Sequence, residues 1–234
     1  MKSFINVHFS DVEDERPSTL KLTPRQGAKL HGDVYALKEI HRSRHSVVYR
    51  GTVAITEYPV VLKLAYTDDT VADLRKEVAL YSHQLLGLQG TVVPACFGLY
   101  EESSGGTCTG CLVLEDCGDP PDVSLEDLPM RQRVVVLRNL QKLHWAGVQH
   151  DDYRRQNIVI RDGQIRVIDF NKTSPHSCEC PIEIKRPMER PDVLDFKCWN
   201  LYVFCIDLSV WSPYIWAARV TLPRNTHPRK SLTT

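Results

Sequence analysis

The first half of the chain alternates short apolar runs with polar breaks, the pattern that is typical of β-strands. Five runs are rich in Val, Ile, Leu and Tyr, and they cover residues 35–40, 47–55, 58–66, 95–101 and 111–116. The first three predict an antiparallel meander. The residues before about position 33 are polar and mixed in charge and have no sustained period, so they predict an N-terminal extension.

Other stretches carry apolar residues at helical spacing. The polar residues 67–70 supply N-cap chemistry for a first helix, whose apolar stripe consists of Leu74, Val78, Tyr81, Leu85 and Leu88. Further helices are predicted over 129–145 and roughly 193–210. Between them, two short strands at 158–160 and 165–168 are joined by an Asp-Gly pair, which is a tight-hairpin signal.

The composition excludes some classes of function. The 234 residues include 29 Lys+Arg and 29 Asp+Glu, so capture of nucleic acid or of an acidic membrane is not favoured. The longest apolar stretch, 201–218, is interrupted by Asp207 and Pro213 and is not expected to span a membrane. The first residues lack the apolar segment of a secretory signal, so we expect an intracellular and most simply a cytoplasmic protein.

Eight cysteines are expected to be small buried hydrophobic residues in a reducing compartment. Cys108 and Cys111 form a CxxC, and Cys178 and Cys180 follow His176, so zinc binding is an alternative interpretation. The two half-sites do not form a regular pair of CxxC motifs, which favours buried hydrophobic residues over zinc ligands.

Lys63 and Glu77 have the residue types and positions of a buried ion pair. Lys63 lies in the middle of an apolar strand, where a charge is costly unless it meets a partner. Glu77 lies at the edge of the apolar face of the first helix and is the expected partner. The alternative is an exposed lysine at a strand end and a solvated glutamate.

Carboxylates and an amide follow in a polar loop further along the chain. Asp152 stands five residues before Asn157, and Asp169 comes directly after an apolar strand. The hairpin between Asn157 and Asp169 would bring their oxygens to the same end, as a shared Mg²⁺ site requires. Phosphoryl transfer needs these groups: a cation for the phosphates, oxygens for Mg²⁺, and a carboxylate near the incoming hydroxyl.

The loop around Asp152 resembles a motif of the protein-kinase-like superfamily. His150-x-Asp152 with Asn157 is similar to the catalytic loop, and Asp169-Phe170-Asn171 is similar to the Asp-Phe-Gly motif. The resemblance implies that Asp152 is the catalytic base and that Asn157 and Asp169 bind Mg²⁺.

Residues upstream of this loop extend the resemblance. Lys63 is similar to the lysine of the Val-Ala-Ile-Lys motif and Glu77 to its helix partner, which implies that Lys63 contacts the α- and β-phosphates of ATP. Val48, on the strand after the phosphate-binding loop, is expected to contact ATP as well. Glu115 and Cys117 would lie at the hinge, where backbone groups read the adenine.

The resemblance covers about 35–171 and implies an α+β, bilobal fold. The N-lobe would be a five-stranded antiparallel sheet with one helix, and the C-lobe would be short and mainly helical. The expected division is an N-terminal extension 1–33, an N-lobe 34–118, a C-lobe 119–220 and a C-terminal tail 221–234.

The sequence departs from the family pattern at several positions. The three positions of the glycine-rich loop fall on His41, Ser43 and Ser46. Asn171 replaces the glycine after Phe170, and Asp151 replaces the arginine that usually precedes the catalytic aspartate. The last difference argues against control by phosphorylation of an activation loop.

The predicted function is ATP- and Mg²⁺-dependent transfer of the γ-phosphoryl group to a hydroxyl, most simply of Ser or Thr in a protein. Two alternatives stay open. The missing glycines and short C-lobe motivate a pseudokinase that acts by binding nucleotide or a partner. The short C-lobe and the His-x-Asp loop also allow a small-molecule kinase of the aminoglycoside or choline type.

Overall fold

Strands from the first half of the chain form a closed β-barrel in the computed structural model, which describes residues 4–10, 18–104, 107–186 and 189–211. The strands run in the order β1-β2-β6-β7-β5-β4-β3 around the barrel. Neighbouring strands are antiparallel except β1 and β3, which are parallel. The strand bounds are β1 (Ile5–Phe9), β2 (Thr19–Pro24), β3 (Gly32–Arg42), β4 (Val47–Val53), β5 (Pro59–Ala65), β6 (Cys96–Ser104) and β7 (Thr107–Glu115).

The interior of the barrel is filled by apolar side chains that alternate with outward-facing residues. On β5, Val60, Leu62 and Leu64 are fully buried in this interior cluster. Successive side chains of a strand point to opposite faces, so Lys63 lies on the outer face. The alternation therefore turns the one charged residue of β5 toward the helix that packs outside the barrel.

That helix, α1 (Asp68–Ser82), begins at a capping box in which the Thr67 side chain accepts a hydrogen bond from the backbone of Thr70. Its buried residues are Val71, Leu74, Glu77 and Tyr81. The helix lies close to β7, because a Cβ atom at Gly110 would be 3.1 Å from both methyl groups of Val71. Glu77 is thereby buried against the outer face of the barrel.

The chain after β7 combines short strands with a few helices. Their bounds are α2 (Met130–Trp145), β8 (Val148–His150), β9 (Ile158–Arg161), β10 (Gln164–Val167), β11 (Thr173–Pro175), α3 (Val193–Phe196) and α4 (Trp199–Asp207). β9 pairs with β10, β8 pairs with β11, and both pairs are antiparallel. α2 packs against β8, β10 and α4. No helix among the described residues is long and apolar enough to cross a membrane.

The predicted fold class, a bilobal fold with a five-stranded N-lobe and a mainly helical C-lobe, is wrong. The sheet is a closed barrel of seven strands, and helices are few. The two additional strands, β1 and β2, lie in the segment expected to be an extension. Each buries only one or two side chains, Ile5 and Val7 on β1 and Leu22 on β2, so their alternation is too short to stand out.

At the level of single elements, the predicted meander, the two later strands, the second helix and the hairpin are confirmed. The first helix is also confirmed, but it ends at Ser82, before the last two residues of its predicted apolar stripe. The helix predicted over 193–210 is instead two short helices, α3 and α4, because Lys197 adopts a left-handed conformation with φ +54°. The boundaries of the N- and C-lobes stay a prediction, and the tail 221–234 lies outside the described residues.

Candidate functional site

Lys63 lies between two carboxylates that come from distant parts of the chain. Its Nζ atom is 2.7 Å from Glu77 Oε2 on α1 and 2.5 Å from Asp169 Oδ1 after β10. The side chains of Lys63 and Glu77 are 12% and 1% exposed, whereas that of Asp169 is 34% exposed. The sequence prediction that Lys63 meets Glu77 is therefore confirmed as a contact.

The charge of Lys63 is stabilised by these partners. Burial alone would lower the pKa of the ammonium group, but the negative charges of Glu77 and Asp169 outweigh burial and raise the pKa above its ordinary value. Lys63 is therefore a permanent cation at neutral pH.

Glu77 also holds the backbone that follows Asp169. Its second oxygen, Oε1, accepts a hydrogen bond of 3.3 Å from the backbone N–H of Phe170. The Phe170 ring is buried and packs edge-on against Tyr81 at 5.7 Å and His150 at 5.1 Å between ring centroids. These contacts hold Asp169 in a left-handed conformation with φ +65°, a strained state that persists only where the surroundings enforce it.

His150 links the loop of Asp152 to the segment of Asp169. His150 Nε2 lies 3.0 Å from the carbonyl oxygen of Ile168, and Nδ1 lies 3.2 Å from the backbone N–H of Asp152. Since a carbonyl accepts and an N–H donates, these two contacts require the proton of a neutral imidazole on Nε2. The ring thus holds the backbone of Asp152.

The hairpin of β9 and β10 brings Asn157 and Asp169 to the same end, as its position in the sequence predicts. Val167 pairs with Ile158, and the N–H of Ile168 donates to the carbonyl of Asn157 at 3.0 Å. The Asn157 side chain donates through Nδ2 to the carbonyl of Asp152 at 2.8 Å. Its Oδ1 atom is therefore the oxygen donor that Asn157 can offer to a ligand.

The carboxylate of Asp152 faces two cations. Its Oδ1 atom is 3.0 Å from Arg154 Nε, and its Oδ2 atom is 3.5 Å from Lys172 Nζ. A cavity of about 240 Å³ lies beside it, lined also by Asn200 and Phe204 of α4. The arrangement places a partly exposed carboxylate, paired with positive charge, beside a small cavity.

The turn between β3 and β4 is closed by its own side chains. The hydroxyl of Ser43 accepts hydrogen bonds of 3.1 Å from the backbone N–H groups of His45 and Ser46, and the Ser43 N–H donates to the Ser46 carbonyl at 2.9 Å. His41 pairs with Val48 across the hairpin. These N–H groups are engaged within the turn, so it does not form the open amide cradle of a glycine-rich loop.

Of the residues expected to bind nucleotide, Val48 lies directly opposite Lys63 on the neighbouring strand. Glu115 is tied to Ala95, whose N–H donates to Glu115 Oε2 at 2.9 Å while the Glu115 N–H donates to the Ala95 carbonyl at 2.9 Å. Cys117 is buried, and burial together with the nearby Glu115 raises the pKa of its thiol to about 12. Their contact with a nucleotide stays a prediction.

Sequence reasoning missed Asp116, which joins the barrel to the second half of the chain. Its buried carboxylate oxygen Oδ2 is 2.8 Å from Arg50 Nε of β4 and 2.8 Å from Arg161 Nη2 of β9. Arg161 also donates through Nη1 to the backbone carbonyl of Asp116 at 2.6 Å. The sequence feature that could have indicated this contact is Arg50, which, like Lys63, is a cation in the middle of an apolar strand and therefore needs a partner.

Gly118 lies two residues after Asp116, at a position that has no room for a side chain. Its φ is +93°, and a Cβ atom would lie 2.3 Å from the carbonyl oxygen of Ile160. We expect Gly118→Ala to lower the free energy of unfolding by more than the roughly 1–2 kcal/mol that a left-handed alanine costs. Gly163→Ala is the control, because its φ is +74° and the space around it is open. Equal losses in urea unfolding of the two variants would contradict the close approach.

A short stretch of the chain is similar to a known protein. No family model matches the chain. The chain is 42% identical over 50 residues to the KEOPS complex subunit Bud32 of Pyrococcus abyssi, and the match covers 20% of this chain and 23% of Bud32. The chain thus matches less than a quarter of the length of that protein. Over this short stretch, the match agrees with the expected resemblance to the kinase-like superfamily.

Proposed function

We propose that the chain is an ATP-dependent phosphotransferase that moves the γ-phosphoryl group of ATP to a hydroxyl, with Asp152 as the base. The observation that carries this proposal is the buried Lys63 ammonium held between Glu77 and Asp169. A cation that is both buried and paired at the edge of a polar site is suited to bind phosphate oxygens. The partial match to Bud32, a kinase-like protein, supports ATP binding.

In this proposal, Lys63 contacts the α- and β-phosphates and Glu77 positions it. Val48, as the cross-strand neighbour of Lys63, would pack against the nucleotide on the same outer face of the barrel. Backbone groups around Glu115 and Cys117, at the end of β7, would read the adenine.

The donor chemistry of Asn157 and Asp169 fits Mg²⁺, which prefers carboxylate and carbonyl oxygens. The amide nitrogen of Asn157 is bound to the Asp152 carbonyl, which leaves Oδ1 for the metal. When bound, Mg²⁺ neutralises charge on the β- and γ-phosphates. Both residues lie at one end of the β9–β10 hairpin, which supports a shared ligand.

Asp152 would accept the proton of the incoming hydroxyl. The hydroxyl oxygen forms a bond to the γ-phosphorus, the bond from that phosphorus to the bridging oxygen breaks, and ADP leaves. The backbone of Asp152 is held by His150 and Asn157, so its carboxylate has a defined position. We propose a Ser or Thr of a protein as the acceptor, entering beside the cavity that Asn200 and Phe204 line.

A second candidate function is nucleotide binding without transfer. The observation that favours it is the pairing of the Asp152 carboxylate with Arg154 and Lys172, since these contacts engage both oxygens that a base would offer to an incoming hydroxyl. The closed turn at Ser43 points the same way, because its N–H groups are already engaged.

Transfer from γ-labelled ATP with Mg²⁺ to a generic protein acceptor separates the two candidates. We expect Asp152→Asn to lower the rate at least about 100-fold, since a positioned general base contributes roughly that much. Asp162→Asn, the same change at an exposed turn, is the control and should keep the rate.

Each result of this assay favours a different function for the chain. No transfer by the wild type to proteins or to small hydroxyl compounds, with a melting temperature that nucleotide still raises, would favour the binding module. Transfer to small hydroxyl compounds alone would point to the small-molecule kinase. If the wild type transfers no phosphoryl group and nucleotide does not raise its melting temperature, the proposal is rejected.

A further inference from the structure

Two histidines and two cysteines from separate parts of the chain meet on one side of α2. His144 lies in the last turn of α2, His176 follows β11 directly, Cys178 comes two residues later, and Cys198 immediately precedes α4. One nitrogen or sulfur atom of each lies within 4.8 Å of the corresponding atoms of the other three. Two imidazoles and two thiols are a ligand set of structural zinc sites.

The distances match those between the ligands of a tetrahedral metal. Cys198 Sγ is 3.5 Å from His144 Nδ1 and 3.6 Å from His176 Nε2. With Zn–S of about 2.3 Å and Zn–N of about 2.05 Å, a tetrahedral angle separates sulfur and nitrogen by about 3.6 Å. The two imidazole rings are tilted, with centroids 4.2 Å apart, and one nitrogen of each ring lies beside the same Cys198 sulfur.

Strand pairing and hydrogen bonds hold the backbone around the cluster in place. The pairing of β8 with β11 aligns Pro175 with Val148, and the His176 N–H donates to the Gly147 carbonyl at 3.0 Å. This places His176 beside the end of α2. Trp145 of α2 donates through Nε1 to the Cys180 carbonyl at 3.2 Å, which holds the loop that carries Cys178.

The cysteines outside the cluster have other roles. The Cys180 thiol lies within 3.7 Å of Gln141 Nε2 and 3.5 Å of the Ile182 carbonyl. Cys108 and Cys111 belong to different apolar clusters, one beneath α1 and the other inside the barrel. Residues three apart on a strand point to opposite faces, so this CxxC cannot hold one metal.

We propose that His144, His176, Cys178 and Cys198 bind one zinc ion with all four positions filled by protein. Binding releases the two thiol protons to solvent, so two thiolates balance the charge of Zn²⁺. His144 and Cys198 are buried, whereas His176 and Cys178 are half-buried and leave a path for the ion. The ion fastens the segment that follows Asp169 to α2 and α4, and it involves none of the residues of the proposed transfer site.

The metal content of the purified full chain, prepared without a histidine tag and under reducing conditions, tests this proposal. We expect about one zinc per chain for the wild type and less than about 0.1 for Cys178→Ser/Cys198→Ser. Cys108→Ser, another cysteine outside the cluster, should keep about one zinc per chain. A strong chelator should lower the melting temperature of the wild type.

A second variant covers the case in which the double variant does not fold. Co²⁺ titrated into the metal-free wild type should produce the visible absorption of a tetrahedral thiolate complex, and the half-buried substitution His176→Gln should weaken or abolish it. A wild type that carries no zinc and gives no such absorption would overturn the proposal, leaving only hydrogen bonds between thiols and imidazoles.

Discussion

Replacing Glu77 by alanine is expected to lower the free energy of unfolding by about 3–5 kcal/mol, the usual cost of removing one partner of a buried ion pair. The substitution leaves the buried ammonium of Lys63 with Asp169 as its remaining carboxylate, and it removes the acceptor of the Phe170 N–H. The Lys63 ammonium and the Phe170 N–H are both desolvated on folding, so losing the carboxylate leaves each of them without a hydrogen-bond partner that stabilised it. Urea unfolding of the two proteins measures the difference.

Lys76→Ala is the matched control on the same helix. Lys76 pairs with Asp73 at 2.9 Å, but its side chain is 77% exposed, so its loss should cost no more than about 1 kcal/mol. Replacing both partners, as in Lys63→Met/Glu77→Leu, should restore part of the stability that Glu77→Ala loses, because neither charge is then left buried alone. A loss for Glu77→Ala as small as that for Lys76→Ala would contradict the buried pair.

Asp116→Ala is expected to have a comparable effect, about 3–5 kcal/mol, through a different part of the molecule. The Asp116 side chain is 1% exposed and faces Arg50 and Arg161, each 2.8 Å away. Asp116 Oδ1 also accepts the Gly118 N–H at 3.0 Å. Without this carboxylate, two guanidinium groups repel each other and the link between β4, β7 and β9 weakens.

Asp119→Ala is the control, because Asp119 contacts the same arginine from the surface. Its carboxylate is 3.0 Å from Arg50 Nη2, but its side chain is 73% exposed. We expect a loss of no more than about 1 kcal/mol. If the two variants unfold at the same urea concentration, burial is not what makes Asp116 important.

Several features of this protein follow from local sequence alone. The strands β3 to β7 and the helices α1 and α2 were predictable because each repeats its apolar period long enough to specify one buried face. The position of Lys63 predicted an ion-pair partner, because a charge in an apolar strand is costly unless it is neutralised. The hairpin between Asn157 and Asp169 was predictable from its Asp-Gly turn, and it brought the two residues to one end.

Other features depend on contacts between residues far apart in the chain. β1 and β2 bury so few side chains that only their pairing with β3 and β6 makes them strands, and that pairing closes the barrel. Asp116 resembles any polar residue after a strand until Arg50 and Arg161 approach it from elsewhere in the chain. Residues that meet only in the folded chain produce no periodic pattern in the sequence. The sequence around Asp116 therefore does not indicate that Arg50 and Arg161 are its partners.

The cysteines show the same division. The sequence by itself determined which residue types could bind a metal and suggested two half-sites, Cys108 with Cys111 and Cys178 with Cys180 after His176. The tertiary structure separated the first pair onto opposite faces of β7. At the second half-site it brought His144 and Cys198 to His176 and Cys178 and left Cys180 outside the cluster. The alternation of side chains along β7 separates Cys108 from Cys111, and the packing of α2 and α4 brings the four ligands of the cluster together. Only the tertiary structure could decide this, because a metal ion binds residues that are close in space, whatever their distance along the chain.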